Sequence, residues 1–357
     1  MELQQQVQEK FKFDFIGNRN IAFVISIVFI VLGIGSIVVK GGLNFGIDFV
    51  GGTLVEVRFT ETQEVEKIRD AVAQANLGNS VIQPLGEGDI VLIRVQSAGE
   101  TTVGNEDTGQ DQGKRITLAL ETAFGKDTFE VRRVEQVGPQ VGSELRRSAQ
   151  LAMLFAIAGL VLYISWRFEA KFALPVAIIA VVTIGLSSWN IAISLIILLA
   201  LIAVSVACIV FDYHFAFAAI IALLHDVAIT VGAFSITNRE ITLPVIAALL
   251  TIIGYSLNDT IVVFDRIREN LRLMARKAPG DILNVSINQT LSRTILTSLT
   301  TLLVVLVLFM AGGHAINDFA FALVIGIIIG TYSSIFIATP LLFIWNERAK
   351  GGIFKKA

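Results

Sequence analysis

The feature that most limits the fold of this chain is its set of long apolar runs. Eight stand out, near residues 20–39, 149–166, 172–188, 190–211, 215–236, 243–264, 295–312 and 319–344. About 18 consecutive apolar residues suffice for a helix to cross a bilayer. Inside lipid, only structures that satisfy their own backbone hydrogen bonds persist, so these runs predict a bundle of membrane helices. Composition agrees. Charged residues make up 16% of the chain and hydrophobic ones 54%, against roughly 25% charged in a soluble domain. A net charge of −2 gives no global basic field for nucleic acid.

Orientation follows from Lys and Arg in short loops. Lys10, Lys12 and Arg19 precede the first run, which is long for a signal-peptide core and lacks an A-x-A-like site before Lys40. An uncleaved anchor is expected. Arg167 and Lys171, then Arg266, Arg268, Arg272, Arg276 and Lys277, then Arg348, Lys350, Lys355 and Lys356 mark further cytoplasmic segments. Eight spans place all of them inside, with both termini cytoplasmic. Arg146 and Arg147 at the outer end of the second span are the exception. The expected layout is a cytoplasmic N-terminus (1–19), a first span (20–39), an extracytoplasmic domain (40–147), a membrane bundle (148–346) with a cytoplasmic loop at 265–292, and a cytoplasmic tail (347–357).

The domain is legible from its periodicities. TLVEVRFT (53–60) alternates like a half-buried strand. Residues 62–77 place Val65, Ile68, Val72 and Ala75 on one helical face, with Thr62 as N-cap and Gly78 as the stop. VIQPL and DIVLIRVQ make two strands around a GEG turn; KRITLALETAF is a second helix and TFEVRRVEQV a last strand. The order βαββαβ is that of a ferredoxin-like domain, with two helices on one face of an antiparallel sheet. The acidic, Gly-rich stretch 97–113 reads as a flexible loop. Its Gly104 and Gly109 have P-loop spacing, but Gln110 stands where Lys is needed, so no phosphate cradle is expected. The single cysteine, Cys208, lies in an apolar run, and no Cys/His set has metal-ligand spacing. No nucleophile motif surrounds a Ser or Cys, and His314 sits in a short outer turn. Neither an enzyme nor a cofactor is indicated.

One interruption stands out. In LLTIIGYSLNDTIVVFDRIREN (249–270), Asn258 and Asp259 break the apolar run. A charge at the centre of a membrane helix costs roughly 2.5–3.5 kcal/mol on insertion scales. Thr251, Tyr255, Asn258, Asp259 and Val262 form one stripe at helical spacing. In QTLSRTILTSLTT, Arg293, Thr297, Thr300 and Thr301 share a face, and Arg293 enters near the depth of Asp259. Three readings are open. One is a proton relay, in which movement of the permanently charged Arg293 switches Asp259 between holding and releasing a proton. Another is a static ion pair fixing two helices. The third is Asp259 snorkelling to the membrane interface. Asp226, beside His225 in ALLHDVAIT, is the deepest charge. It either joins the same path or is neutral and bonded to a neighbouring helix. Gly326, Gly330 and Ser334 form a small-xxx-small row expected to pack against another helix.

Several long segments resemble the SecF family of bacterial protein-export membrane proteins. GGLNFGIDFVGGTLVEVRF (41–59) is similar to the stretch after that family's first span, and VEQVGPQVGSELRRSA (134–149) to the approach to its second. WRFEAKFAL, ALLHDVAIT, LLTIIGYSLNDTIVVFDRIREN, INQTLSRTILTSLTTLL and IGIIIGTYSSIFIATPLL resemble later family motifs in order. The resemblance implies six spans and a ferredoxin-like extracytoplasmic domain. It implies assembly with SecD in a complex of the resistance-nodulation-division superfamily. That complex uses the proton-motive force to draw unfolded preproteins outward across the bacterial inner membrane, after SecYEG and the SecA ATPase start them. The family's membrane carboxylate falls on Asp259 and its membrane arginine on Arg293. The chain departs from the family at 172–211, where an apparent extra helical hairpin is bracketed by the similar segments WRFEAKFALPVAII and VFDYHFAFAAII. The alternatives are a proton-driven exporter of small molecules within the same superfamily and a non-transporting membrane scaffold.

Overall fold

The apolar run at 20–39 forms α1, Arg19–Val39, in a computed structural model described over residues 13–74, 80–85, 89–95, 109–169 and 193–348. A short turn α2, Ile47–Val50, precedes strand β1, Gly52–Phe59. Then come α3 (Val65–Gln74), β2 (Ser80–Leu85), β3 (Ile90–Val95), α4 (Gly109–Phe124) and β4 (Phe129–Val137). The remaining helices are α5 (Pro139–Glu169), α6 (Ile193–Val210), α7 (His214–Thr237), α8 (Leu243–Leu273), α9 (Pro279–Ala311), α10 (His314–Ser333) and α11 (Thr339–Arg348). A π-helical turn, Ser334–Ala338, joins the last two. Among the described residues, six helical stretches are long and apolar enough to cross a membrane: Arg19–Val39, Pro139–Phe168, His214–Thr237, Leu243–Leu273, Pro279–Ala311 and Ile316–Arg348. The chain is a multi-pass helical membrane protein. Of the expected hairpin at 172–211, the first half lies outside the described residues and the second contains α6.

The helices outrun the apolar stretches that announce them. α8 continues through its charged segment to Leu273, and α9 starts at Pro279, well before the apolar run at 295. Hydropathy reports depth in lipid, whereas a helix persists as long as its backbone bonds and packing do. Here Asn270 donates to Ser286 Oγ and Gln289 Oε1, both at 2.9 Å, and Arg266 Nε donates to Gln289 at 2.6 Å. Near this end Phe168, Phe215 and Phe264 form an aromatic trio with centroids 5.2–5.7 Å apart. Arg167 pairs with Asp265 at 2.8 Å. The WRF and FDRIR motifs thus meet across α5, α7 and α8.

The chain divides into two units, the bundle and a second unit of Asn44–Ala149 with Glu240–Leu243. In the second, an antiparallel sheet has the order β2-β3-β1-β4. Val55, Val57 and Phe59 alternate inward on β1, opposite Ile93 and Val91 of β3. α3 and α4 cover that face with Ile68, Val72, Ile116 and Leu120. Arg94 points the other way, 3% exposed, and donates to Phe45 C=O at 2.7 Å and Glu240 Oε1 at 2.6 Å. Two details differ from the sequence reading. α3 begins at Val65, so Thr62 does not cap it. α4 begins at Gly109, so the end of the expected loop is helical; residues 96–108 lie outside the described residues. Gly51 has φ +74, and a Cβ there would lie 2.9 Å from Pro139 Cα, so the second unit requires glycine at this position.

α1 and α7 approach through small residues. A Cβ on Gly33 would meet Gly232 Cα at 2.8 Å, and Ser36 and Ser235 hydroxyls bond at 2.8 Å. Small residues let membrane helices close without a hydrophobic drive. Before α1, Asn284 Oδ1 accepts Phe15 and Ile16 N–H at 2.9 and 3.0 Å, and Asn288 brackets the Phe13 backbone. The Gly17 N–H and the Asn284 amide hold the Asp14 carboxyl below the usual carboxylate range, helped by Arg19.

Two expectations follow. Gly232→Leu forces α1 and α7 apart and destabilises the bundle by about 1–3 kcal/mol, the cost of overpacking, read as a lower melting point in detergent. A depressed carboxyl contributes above its unfolded pKa of about 3.9 and is lost only as pH falls below that. The clasp therefore holds from neutral pH down to that value. Asn284→Ala lowers amide-exchange protection of Phe15 and Ile16 by roughly tenfold, whereas mild acidification of the wild type does not.

Candidate functional site

α8 presents Ser256, Asp259, Thr260 and Val263 inward at helical spacing, and Thr251 and Asn258 outward. Asp259 is 3% exposed. Its one hydrogen bond among the described residues comes from Ser298 Oγ of α9 at 3.4 Å, the loose edge of hydrogen-bond distance. Ser298 in turn accepts from Thr331 Oγ1 of α10 at 2.7 Å. Nearby polar groups are also under-bonded. Tyr255 Oη, one turn before Asp259, and Thr294 Oγ1, one turn before Ser298, are buried without a partner among the described residues. Buried polar groups ordinarily find partners, so the described residues leave the surroundings of Asp259 unfinished.

Arg293 does not complete them. It lies on the exposed face of α9, among Ile295, Leu296 and Leu299, and no ion pair within 4.0 Å joins it to Asp259. Its charge still reaches Asp259 electrostatically. The static ion pair, one of the three open readings, is therefore absent from this arrangement, and the burial of Asp259 does not fit snorkelling. Thr297 and Thr300 are exposed on the same face, with hydroxyls returned to carbonyls one turn back. Asn258 is likewise exposed on α8. The sequence-predicted residues thus separate into a buried carboxyl and an outward-facing polar row.

Asp226 is the opposite case. It is 1% exposed and well bonded. Oδ2 accepts from Ser256 Oγ of α8 at 2.5 Å and from Ser333 Oγ of α10 at 2.8 Å. Oδ1 lies 2.9 Å from His225 Nδ1. His225 Nε2 lies 2.9 Å from Ser26 of α1, and Ser26 lies 3.1 Å from Tyr332 Oη, which donates to Ala22 C=O at 2.7 Å. The two carboxyls converge on α10, where Thr331, Tyr332 and Ser333 are consecutive and precede the π turn. Such turns recur at functional positions.

Sequence reasoning found the charged groups and missed the hydroxyls that hold them: Ser26, Ser256, Ser298, Thr331, Tyr332 and Ser333. The available signal was TYSS at 331–334, four hydroxyl residues in a row inside an apolar run. The small-residue row does pack as expected, with Gly326 against Ile252 and Gly330 against Ser256 of α8. Among the described residues no group of three or more His, Cys, Asp or Glu is placed to hold a metal ion.

Comparisons with known proteins bear on this arrangement. The sequence profile described as "Protein export membrane protein SecD/SecF, C-terminal" matches residues 118–188 and 185–348, and the "SecD/SecF GG Motif" matches 35–63. The Protein translocase subunit SecF of Magnetococcus marinus is 42% identical over 338 residues, covering 95% of this chain and 93% of that protein. The Pseudomonas aeruginosa protein of the same name is 37% identical, covering 93% and 90%. The crystal structure of SecDF from Thermus thermophilus, a translocon-associated membrane protein, superposes with a TM-score of 0.73 at 33% identity. That match covers 96% of this chain and 40% of the SecDF chain.

The contrast between the carboxyls predicts unequal stability effects. Asp226→Ala strands buried donors on α7, α8 and α10 and costs about 3 kcal/mol or more. Asp259→Asn loses one loose bond and stays within about 1 kcal/mol of wild type. Thermal unfolding of both variants in the same detergent checks the difference.

Proposed function

Because this chain belongs to the SecD/SecF family of protein-export membrane proteins, we propose that it is the SecF-type subunit of a protein translocase, driven with SecD by the proton-motive force. The observation that carries the proton reading is Asp259. It is buried at 3% exposure and held by one loose hydrogen bond among the described residues, while Arg293, on the exposed face of α9, has no ion-pair partner among them. A carboxyl so placed is free to exchange a proton, and a guanidinium that stays charged is suited to switch it. Asn258 and Asp226 belong to the same path. Arg293, Thr297 and Asn258 line a polar face that a SecD helix covers, and that cover supplies the missing partners. The chain spans 40% of the SecDF protein it resembles, which leaves room for such a partner.

The same reading gives the second unit its place. It is a ferredoxin-like domain outside the cytoplasm, within the expected 40–147 segment, that receives emerging unfolded preprotein or SecD's own domain. SecYEG and SecA begin translocation, and this subunit promotes its later stage without enzymatic chemistry or a cofactor of its own. Both termini lie in the cytoplasm of a bacterium, and the bundle sits in its inner membrane. Within 172–211, the described helix α6 is an addition to the family's six spans.

Translocation into inverted membrane vesicles tests the proposal. Vesicles carry this chain with its SecD partner, as wild type, Asp259→Asn or Arg293→Met, each with and without a protonophore. Both variants are expected to assemble and to lose the protonophore-sensitive part of export. Export equal to wild type in both, with assembly intact, contradicts a coupling role.

A further inference from the structure

His225 and Asp226 lie side by side at the middle of α7, 6% and 1% exposed. Their hydrogen bonds fix how many protons they hold. The count begins at Ala22 C=O, which only accepts. Tyr332 gives its single hydroxyl hydrogen to that carbonyl at 2.7 Å. The hydrogen between Tyr332 Oη and Ser26 Oγ, 3.1 Å apart, is therefore Ser26's. With that hydrogen committed, Ser26 accepts from the imidazole, so Nε2 at 2.9 Å carries a hydrogen. On the other side, Asp226 Oδ2 accepts from Ser256 at 2.5 Å and from Ser333 at 2.8 Å, the shorter of Ser333's two contacts, the other being Gly330 C=O at 3.1 Å. What remains is the 2.9 Å contact between Nδ1 and Oδ1, two atoms that attract only with one proton between them.

The charge balance points the same way. With Nε2–H and one shared proton, the pair is neutral as a whole, written either as imidazolium with carboxylate or as imidazole with carboxylic acid. The other tautomer, with bare Nε2, leaves a net negative charge deep in the bundle. No Lys or Arg among the described residues pairs with Asp226 there. An uncompensated buried charge is strongly disfavoured. Of the elements around the pair, α1 turns Ser26 to it, α8 turns Ser256, and α10 turns Tyr332 and Ser333. Tyr332 is the one further titratable group in these contacts, and Asp259 is the next carboxyl, three residues beyond Ser256.

We propose that His225 and Asp226 form a second proton-binding site, distinct from Asp259, which holds one shared proton when α1, α7, α8 and α10 are packed together. Removing that proton sets the Nδ1 lone pair against a carboxylate oxygen. Either the imidazole turns, or its remaining hydrogen passes to Nδ1 and leaves Nε2 bare; both end the Nε2–H bond to Ser26 and loosen the hold of α7 on α1. The proton is the ligand, and helix packing is what it controls. The count rests on geometry alone; its use in translocation rests on the function proposed above.

The chain has three histidines, so His214→Gln with His314→Gln leaves His225 as the only imidazole. This background, assembled with its SecD partner in lipid nanodiscs and labelled with 15N-histidine, is titrated by NMR. While the pair holds its shared proton both Nε2 and Nδ1 are expected to report bonded hydrogens, and that proton is expected to leave in one step. Asp226→Asn, whose amide N–H stands in for the shared proton, abolishes the step and keeps the helices packed. A bare Nε2 before the step, the absence of any step, or a step that survives Asp226→Asn overturns the proposal. The spectra do not depend on export, so failure of the vesicle assay and failure of this site are separate results.

Discussion

A carboxyl at the middle of a membrane helix has no water to turn to, and in this bundle Asp226 draws its hydrogen bonds from α8 and α10 and, through His225, from α1. Each bond restricts where a neighbouring helix can sit. Ser256 fixes the rotation of α8, and with it the inward direction of Asp259, three residues on. Ser333 fixes α10, and the consecutive Thr331 then reaches Ser298 of α9. The small residues of α1 and α7, down to the Gly33–Gly232 contact, allow the approach that Ser26 needs to meet His225. Polar satisfaction and close packing here are one constraint seen from two sides.

The same logic separates the two carboxyls by what this chain leaves undone. Asp226 is finished from within. Asp259 is buried to a similar degree but has a single loose donor among the described residues, and the arginine that family resemblance pairs with it stands on the outer face of α9. A membrane protein that exposes Arg293, Thr297 and Asn258 among leucines and isoleucines has a face built for something other than lipid tails. The SecD/SecF relationship supplies the candidate for that cover, and the relay proposed above is the use suggested for the loosely held carboxyl.

Much of this was legible in the sequence because lipid imposes strong patterns. The run at 20–39 became α1 almost residue for residue, and period-two alternation at 53–60 located β1. Asp226, Asp259 and Arg293 announced themselves as charges in apolar company. What stayed hidden were relations between helices. Serine and threonine in a membrane helix look neutral in any hydropathy count, yet Ser256, Ser298 and Ser333 decide which carboxyl is held and which is loose. Helix ends were misjudged for a related reason: α8 and α9 continue past the lipid on polar contacts such as Asn270 to Ser286. That Arg293 faces outward depends on the rotation of α9 against its neighbours, which no single segment encodes.

The central claim is that a loosely held carboxyl in this chain carries protons. Proton entry into liposomes containing the chain with its SecD partner tests it most directly, read with a trapped pH-sensitive dye under an imposed membrane potential. The account predicts acidification faster than in empty liposomes for wild type, and a rate no greater than that of empty liposomes for Asp259→Asn in an equally assembled complex. Equal, rapid entry in wild type and Asp259→Asn would contradict it and return Asp259 to a purely structural role.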